Sequence, residues 1–426
     1  MTMRFEVETD RPLIVNDSMT RYVLARVVAP EGAARERPPV NLGLVLDRSG
    51  SMGGDKIRLA KEAAVAAIRR LDARDLFCVV TYDDHIDVVV PSTAASGQAV
   101  ADAVRAILSI NARGSTDLCG GWLRGCEQVA VAQTRGAVTR VLLLTDGQAN
   151  HGTTDPQEIV GHAGELRKRG VSTTTIGVGE DFDEHLLGRM ADEGGGHFYY
   201  VEHDEQIPQA IETEVGEALE VTLRGAQLRA RPAGLATVAP LAAFPTRRDG
   251  DDWVIELGDL VSLQELSVPV RVSFSGEMPG SNGSGVRLSF SVGGASVSPA
   301  SADVVWTIAT GPAVGTQVRN RRVDHAVAQA YAALARREAG RLNRDGDFAG
   351  ARRQLTRVAR RILRYAGEDA QLKGLAAQIQ QDAVDHEERL SSVDRVALYM
   401  GSERVLKSRN VGGGSMRLTS RPDGGA

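Results

Sequence analysis

The chain has 426 residues, of which 42% are hydrophobic and 25% charged. This length exceeds one ordinary hydrophobic core and predicts two or three domains, and the composition predicts a packed globular protein. The net charge of −5 is uneven: residues 313–426 hold 21 Lys and Arg against 13 Asp and Glu, and the remainder holds 29 against 42. A basic C-terminal part on an acidic body predicts either intramolecular docking or an acidic partner.

The sequence also bears on the compartment. The N-terminal stretch MTMRFEVETDRPLIV lacks the basic and apolar regions of a signal peptide. No run of about 18 apolar residues occurs, so no membrane span is expected. Three cysteines, Cys78, Cys119 and Cys126, cannot all pair within one chain. We therefore expect a reducing, cytoplasmic setting rather than that of a secreted adhesin.

From about residue 40 to residue 205, short apolar runs alternate with helical patterns. The predicted strands cover residues 41–46, 76–82, 87–90, 140–145, 171–178 and 197–201, and the third is expected to end at Pro91. The predicted helices cover residues 55–71, 97–109, 118–133, 156–169 and 183–192. This alternation predicts an α/β domain over residues 39–216, with a doubly wound, mostly parallel sheet and helices on both faces.

After residue 216 the hydrophobic period changes to two. Apolar residues alternate with polar ones around Val268–Phe274 and Leu288–Val292, with the turn signal PGSNGSG between them. This pattern predicts an antiparallel β-sandwich over residues 217–312. Strand-like pieces within residues 1–38 have no place in the α/β sheet, so we expect them to complete the sandwich around an inserted α/β domain.

Residues 313–408 are predicted to form a C-terminal helical region. One helix carries an apolar stripe from Val323 to Ala335, the sequence NRDGD breaks it, and a second helix begins at Phe348. Four arginines at helical spacing form either a solvated face or a docking surface for an acidic partner: Arg353, Arg357, Arg360 and Arg364. The polar, glycine-rich residues 409–426 are predicted to be a disordered tail.

A cluster of oxygen-bearing side chains follows the first strand of the α/β domain. In the sequence Asp47-Arg48-Ser49-Gly50-Ser51, the first, third and fifth residues can point the same way in an extended turn. Ligands of open α/β sheets bind at the carboxyl ends of the strands. One carboxylate and two hydroxyls form a hard oxygen set, which suits Mg²⁺ or Mn²⁺ better than zinc.

Two further loops reach the same edge of the predicted sheet. The sequence Gly114-Ser115-Thr116-Asp117 offers the Thr116 hydroxyl, and Thr145-Asp146-Gly147 offers the Asp146 carboxylate. The pentapeptide alone is a weak signal. Together with the two later loops it is a strong one.

These three loops resemble those of bacterial von Willebrand factor type A proteins. The segments LVLDRSGSM, GSTDL and LTDGQANHG match the family's metal loops, and LLGRMADEGGGHFYYV matches its closing helix and strand, so the resemblance covers about residues 38–205. It implies a Rossmann-like α/β fold and an intact metal ion-dependent adhesion site. The metal ligands it implies are Asp47, Ser49, Ser51, Thr116 and Asp146.

Counting ligands gives the expected function. Three hydroxyls and two carboxylates around Mg²⁺, with Mn²⁺ or Ca²⁺ as alternatives, leave room for water or an outside oxygen. An Asp or Glu of a protein partner can fill that position, which predicts a non-enzymatic interaction module or adaptor. The alternative is a Mg²⁺-dependent hydrolase or phosphatase that uses the same carboxylates. We disfavour it because Ser49 occupies the place of an acid/base partner and no lysine lies in the three loops.

The other signals are weaker. Asp83 and Asp84 are interpreted as a solvated turn, with an outer-shell charge or a second metal as the alternatives, and Asp117 as a helix cap rather than part of the site rim. Gln148 and Asn150, beside the third loop, are possible partner contacts, and His197 is assigned a core or surface role. Nucleic-acid binding and nucleotide hydrolysis are not expected, because no reader motif and no phosphate-binding GxxxxGK[ST] loop occur. The basic helices or Asp423 of the tail are considered for docking in cis on the acidic body or the metal.

Overall fold

The computed structural model of the protein describes residues 3–32, 37–134, 136–274, 285–293 and 299–406. The predicted tail at residues 409–426, with its Asp423, and most of the turn signal PGSNGSG lie outside the described residues. The strands are β1 (Arg4–Thr9), β2 (Leu13–Ile14), β3 (Met19–Val28), β4 (Val40–Asp47), β5 (Leu76–Tyr82), β6 (Ile86–Ala94), β7 (Val138–Thr145), β8 (Val171–Val178), β9 (Gly195–Val201), β10 (Val221–Ala233), β11 (Ala236–Pro240), β12 (Thr246–Asp249), β13 (Asp252–Val261), β14 (Glu265–Phe274), β15 (Gly285–Ser291), β16 (Ala300–Val305) and β17 (Thr307–Ile308). The helices are α1 (Asp55–Arg69), α2 (Gly97–Leu108), α3 (Leu118–Val131), α4 (Pro156–Lys168), α5 (Glu184–Gly194), α6 (Ile207–Leu219), α7 (Gly311–Thr316), α8 (Arg321–Arg344), α9 (Phe348–Ala366), α10 (Ala370–Asp385) and α11 (Ser392–Leu406), with short 3-10 turns at Gly50–Met52 and Asp204–Gln206.

Six strands form the sheet of the α/β domain, in the order β6-β5-β4-β7-β8-β9. All neighbours pair in parallel except β6, which runs antiparallel to β5 at one edge. Helices α1, α2 and α6 cover one face, and α3, α4 and α5 cover the other. The predicted doubly wound, mostly parallel fold is therefore confirmed.

The central strands are apolar on both sides because helices cover both faces. Every residue of β4 and of β7 is buried. In β4, Leu42, Leu44 and Leu46 face one core, whereas Val45 faces the other. Such strands read as continuous apolar runs rather than alternating ones.

One sequence prediction about this domain was wrong, and one helix was not predicted. The strand predicted at residues 87–90 does not end at Pro91, because β6 continues to Ala94. It lies at the sheet edge and its pairing with β5 is irregular, a place where proline's missing N–H is tolerated. The helix α6 had no counterpart in the prediction, although Ile207, Ile211 and Val215 bury one helical face.

Helix α3 lies unusually close to the sheet. A Cβ atom on Gly121 would lie 2.4 Å from Cγ of Tyr82, and one on Gly125 would lie 2.2 Å from Cγ2 of Val45. Gly121→Ala is therefore expected to destabilise the protein by about 1–3 kcal/mol, because the methyl group overpacks a buried contact. The free energy of unfolding in urea would measure this. As the control, Gly161→Ala in α4 has nothing within 4 Å of the added atom, and it is expected to be neutral or stabilising by up to about 1 kcal/mol.

Two antiparallel sheets form a β-sandwich, as the sequence predicted. One sheet has the order β1-β3-β14-β11 and the other has β12-β13-β10-β15-β16. Strand β3 pairs with β14 over ten residues, so a strand that precedes the α/β domain is a central member of a sheet that follows it. The buried side chains of β14 alternate as the sequence predicted, from Leu266 to Phe274. The domain limits assigned from the sequence remain predictions.

The C-terminal helices pack both among themselves and against the rest of the chain. Helices α8, α9 and α10 share a core. Arg337 of α8 forms an ion pair with Asp192 of the α/β domain at 3.1 Å, and Arg395 of α11 pairs with Glu184 at 2.9 Å. Basic helices thus contact acidic side chains of the body. Among the described helices, none has the length and apolar character needed to cross a membrane.

Candidate metal centre

The five predicted ligands come from three loops at the carboxyl edge of the sheet. Asp47 is the last residue of β4, Thr116 lies directly before the residue that caps α3, and Asp146 directly follows β7. Asp47, Ser49, Thr116 and Asp146 are buried, whereas Ser51 is exposed. The site is therefore buried on the side of the sheet and accessible to solvent at Ser51.

Hydrogen bonds connect four of the five residues, one of them through its backbone N–H. The backbone N–H of Ser49 donates to Oδ1 of Asp47 at 2.8 Å. The hydroxyl oxygens of Ser49 and Ser51 lie 3.1 Å apart, and the Ser51 hydroxyl donates to Oδ1 of Asp146 at 2.7 Å. Thr116 lies beside this group, because a Cβ on the neighbouring Gly147 would be 3.4 Å from its hydroxyl oxygen.

The first and second loops are joined through their backbones. The N–H of Gly50 donates to the carbonyl of Gly114 at 3.1 Å, and the N–H of Arg113 donates to the carbonyl of Arg48 at 2.7 Å. Gly114 has φ of +72°, and a Cβ there would lie 2.1 Å from Oδ1 of Asp84. Only glycine fits this backbone conformation and this close approach without strain.

Burial dominates the electrostatics of Asp47. It raises the pKa of this carboxyl to about 6, against hydrogen bonds from Thr145 and Ser49 that lower it, and the charge of Asp146 raises it further. Two carboxylates are thus held close together in a poorly solvated place. A cation between them would offset both the desolvation and the repulsion.

The donor set suits a hard divalent cation. Two carboxylates and three hydroxyls supply only oxygen, and no nitrogen or sulfur ligand is among them. Mg²⁺, Mn²⁺ and Ca²⁺ prefer such oxygen donors. A second group, Asp83, Asp84 and His85, also has ligand atoms close together, but Asp83 is already bound by two arginines.

Asp83 is the predicted outer-shell residue whose surroundings differ most from the expectation. It is buried and accepts hydrogen bonds from Nε of Arg48 at 3.1 Å and Nε of Arg113 at 2.7 Å. Burial would raise the pKa of Asp83, but these arginines outweigh it and hold the pKa below its usual value. The solvated-turn interpretation is wrong for Asp83 and holds for the exposed Asp84. Asp83 thus links the loop that contains Arg48 to the loop that begins at Arg113.

The remaining weaker signals have clear positions. The Asp117 side chain accepts from the N–H of Gly120 at 2.9 Å and caps α3, as expected. Gln148 and Asn150 are exposed beside the third loop. The cysteines are buried free thiols. His197 lies in a polar network inside the domain, with Nδ1 2.7 Å from Oε2 of Glu214.

Sequence reasoning missed two residues at the centre. The Thr145 hydroxyl donates to Oδ2 of Asp47 at 2.7 Å, and Nζ of Lys56 donates to Oδ2 of Asp146 at 2.6 Å. Thr145 directly precedes the aspartate of the third loop, so the motif itself signalled it. Lys56 is the second residue of α1, outside the loops, and only the fold brings it to the site. No lysine lies in the three loops, but Lys56 brings a positive charge to the centre from α1.

Lys56 competes with any cation for Asp146. Its ammonium group binds one carboxylate oxygen of Asp146, a predicted ligand whose side chain is fully buried. Lys56→Met is therefore expected to raise Mg²⁺ affinity by about tenfold, since the positive charge beside the cation is removed. Titration calorimetry would measure this. The control is Lys61→Met on the same helix, because Lys61 binds the carbonyls of Leu108 and Ile110 instead. Equal affinities for Lys56→Met and the unaltered protein would contradict the prediction.

Comparisons with known proteins show which family the α/β domain resembles. Residues 41–213 match the family model of the von Willebrand factor type A domain. Protein YfbK of Escherichia coli strain K12 is 30% identical over 235 residues, which cover 54% of this chain and 40% of that protein. Protein sll0103 of Synechocystis is 28% identical over 271 residues, which cover 61% of this chain and 63% of that protein. The chain thus spans less than two thirds of the length of either relative.

A solved structure shares the fold over nearly the whole chain. The protein described as von Willebrand factor type A from Catenulispora acidiphila superimposes with a TM-score of 0.71 at 20% identity, covering 94% of this chain and 96% of that one. The similarity extends through the β-sandwich and the C-terminal helices. The chain therefore contains a von Willebrand factor type A domain, over residues 41–213.

Proposed function

We propose that this protein is a non-enzymatic interaction module, or adaptor, that captures an Asp or Glu of a protein partner through Mg²⁺. The ion would be held by Asp47, Ser49, Ser51, Thr116 and Asp146. The convergence of these oxygen-bearing side chains from three loops at one buried sheet edge carries the proposal. Mn²⁺ and Ca²⁺ are the alternative ions.

The uneven burial of the site supports capture of an outside ligand. Asp47 and Asp146 are buried, but Ser51 is exposed, so the free side of the ion would face solvent. Mg²⁺ dehydrates reluctantly and keeps waters when the protein does not fill its octahedral shell. A partner carboxylate can replace one such water and bridge the two proteins. The exposed Gln148 and Asn150 would contact the partner beside the ion.

A cytoplasmic setting is part of the proposal. Cys78, Cys119 and Cys126 are free thiols in the structure, which suits a reducing compartment. Their burial also suits the role of small apolar core residues rather than of redox or metal ligands.

The test is partner capture with its metal dependence. Immobilised protein is incubated with lysate in Mg²⁺ and eluted with EDTA, and Asp146→Asn serves as the matched variant. Proteins released by EDTA, and not retained by Asp146→Asn, are then purified. Their Asp and Glu residues are replaced singly by Asn and Gln. We expect one such replacement to abolish Mg²⁺-dependent binding. Binding that persists in EDTA and with Asp146→Asn would refute the proposal.

The same preparations test the hydrolase alternative. Lys56 places a cation next to Asp146, which removes one argument against phosphate chemistry. Ser49 still occupies the place of the acid/base partner, and a hydroxyl is a poor general acid. We expect no Mg²⁺-dependent release of nitrophenol from p-nitrophenyl phosphate. Turnover that is lost in Asp47→Asn would instead favour the hydrolase.

A further inference from the structure

A cavity of about 410 Å³ lies between the α/β domain and the β-sandwich. On one side it is lined by Thr139, Ser172 and Gly196, which lie at the amino ends of β7, β8 and β9. On the other side it is lined by residues of β10 and β13. It is thus at the opposite end of the sheet from the metal centre, about 23 Å away along β7. Ligand pockets of this volume commonly lie at domain interfaces.

Hydrogen-bonding groups without partners are concentrated around this cavity. Among the described residues, nine buried side-chain polar atoms have no hydrogen-bond partner. Four belong to lining residues: the hydroxyl of Thr139 and Nε of Arg140, Arg167 and Arg224. Thr139 and Arg140 are each only 4% exposed. Buried polar groups are normally paired, so such a concentration marks a place suited to a polar ligand.

The carboxylates that line the cavity are already engaged. Asp259 accepts from the N–H of Gly225 at 2.9 Å, and Asp192 accepts from the Tyr399 hydroxyl at 2.7 Å. Glu256 is paired with Arg167 and, at 3.4 Å, with Arg247. Behind the lining, Glu214 is paired with Arg140. The buried lining atoms without a partner are one hydroxyl and three guanidinium N–H groups.

Arg224 has the most available charge of these groups. It lies on β10 of the sandwich, with Nη1 3.8 Å from the position of a Cβ on Gly136 in the α/β domain. Its side chain forms no ion pair with a carboxylate of the described residues. A half-buried guanidinium without a counter-charge is suited to hold carboxylate or phosphate oxygens in a bidentate manner.

We infer that this interdomain cavity binds a small anionic metabolite through a carboxylate or phosphate group, held by Arg140, Arg167, Arg224 and the Thr139 hydroxyl. The ligand would contact both domains. Arg167 of α4 already pairs with Glu256 of β13, so the anion would sit beside an existing interdomain ion pair. Its binding would fix the α/β domain relative to the sandwich.

The test uses the full chain in EDTA, so that the metal centre cannot hold the probe. Inorganic phosphate and succinate are titrated separately by calorimetry. We expect saturable one-to-one binding of at least one of them. Binding of phosphate alone would identify a phosphate group, and binding of succinate alone a carboxylate. Absence of saturable binding of both would overturn the inference and assign water to the cavity.

Two variants locate the bound anion. Arg224→Gln is expected to weaken binding at least about tenfold, the effect of losing a charge-assisted hydrogen bond. Thr139→Val should also weaken it, while leaving stability without probe unchanged or higher, because the lost hydroxyl has no partner. Arg353→Gln, on the exposed face of α9, is the matched control and should bind normally. Unchanged binding in Arg224→Gln, or an equal loss in Arg353→Gln, would place the anion elsewhere and overturn the inference.

Discussion

Replacement of Asp47 by asparagine is expected to weaken Mg²⁺ binding at least about 100-fold while the protein remains folded. The buried carboxylate supplies both a ligand and half of the negative charge of the proposed site. Removing one partner of a buried ionic contact costs about 3–5 kcal/mol, which corresponds to at least a 100-fold loss of affinity. Titration calorimetry with MgCl₂, together with circular dichroism of the variant, would measure both parts of the prediction.

The pH dependence of the same group follows from its raised pKa. In the metal-free protein the pKa of Asp47 is about 6, mainly through burial, against 3.8 for an ordinary Asp. The folded state then holds more protons than the unfolded state between these values, so Asp47 lowers stability as pH rises from about 4 to about 6. The loss amounts to roughly 3 kcal/mol. Mg²⁺ must displace this proton, so its affinity is expected to fall as pH drops below 6.

Comparing the metal-free with the metal-loaded protein would measure both pH effects. Thermal unfolding in EDTA should show Asp47→Asn losing the stability change between pH 4 and pH 6. The stabilisation by Mg²⁺ should be larger at pH 7 than at pH 5. Asp55→Asn is the matched control, because Asp55 is an exposed acid at the start of α1. If Asp55→Asn weakened Mg²⁺ binding as much as Asp47→Asn did, the proposed ligand set would be wrong.

Glu214→Ala is expected to destabilise the protein by about 3–5 kcal/mol. Glu214 is fully buried and accepts hydrogen bonds from Arg140, from the Thr174 hydroxyl at 2.8 Å and from the Tyr199 hydroxyl at 2.9 Å. Its loss leaves the Arg140 charge buried without its carboxylate partner. Chemical unfolding in urea would measure the change, with the exposed Glu212→Ala of the same helix expected within about 0.5 kcal/mol of the parent.

A double variant separates the ion pair from simple loss of volume. Arg140→Met combined with Glu214→Met replaces both charges by apolar side chains of similar size. This combination is expected to recover most of the stability, since a buried ion pair can often be exchanged for apolar residues at little cost. A double variant as unstable as Glu214→Ala would show that packing, and not the unpaired charge, causes the loss.

The sequence predicted the parts of this protein that depend on local pattern. The α/β alternation and the three metal loops are local signals, and the structure places their residues at one sheet edge. Lys56 and Asp83 escaped prediction for a tertiary reason. The partner of Lys56 lies 90 positions away in the chain, and Asp83 is bound by arginines from two separate loops. The spacing of residues in the sequence cannot predict contacts between such distant positions.

Helix α6 was missed for a different reason. Its buried positions Ile207, Ile211 and Val215 follow the helical period, and Pro208 lies in its first turn. Proline in the first helical turn is compatible with a helix start, so the signal was present. The α/β domain was predicted to extend to residue 216, but no element was assigned between residues 202 and 216.

The long-range pairing within the sandwich has a consequence for synthesis on the ribosome. Strand β3 ends at Val28, but its partner β14 ends at Phe274, and α11 packs Val396 against the α/β core. Neither domain can complete its packing when its first strands leave the ribosome. The α/β core is not covered by α11 until about 180 residues beyond the end of the α/β domain have been made. We therefore expect nascent chains that stop before residue 390 to remain protease-sensitive and to depend on chaperones.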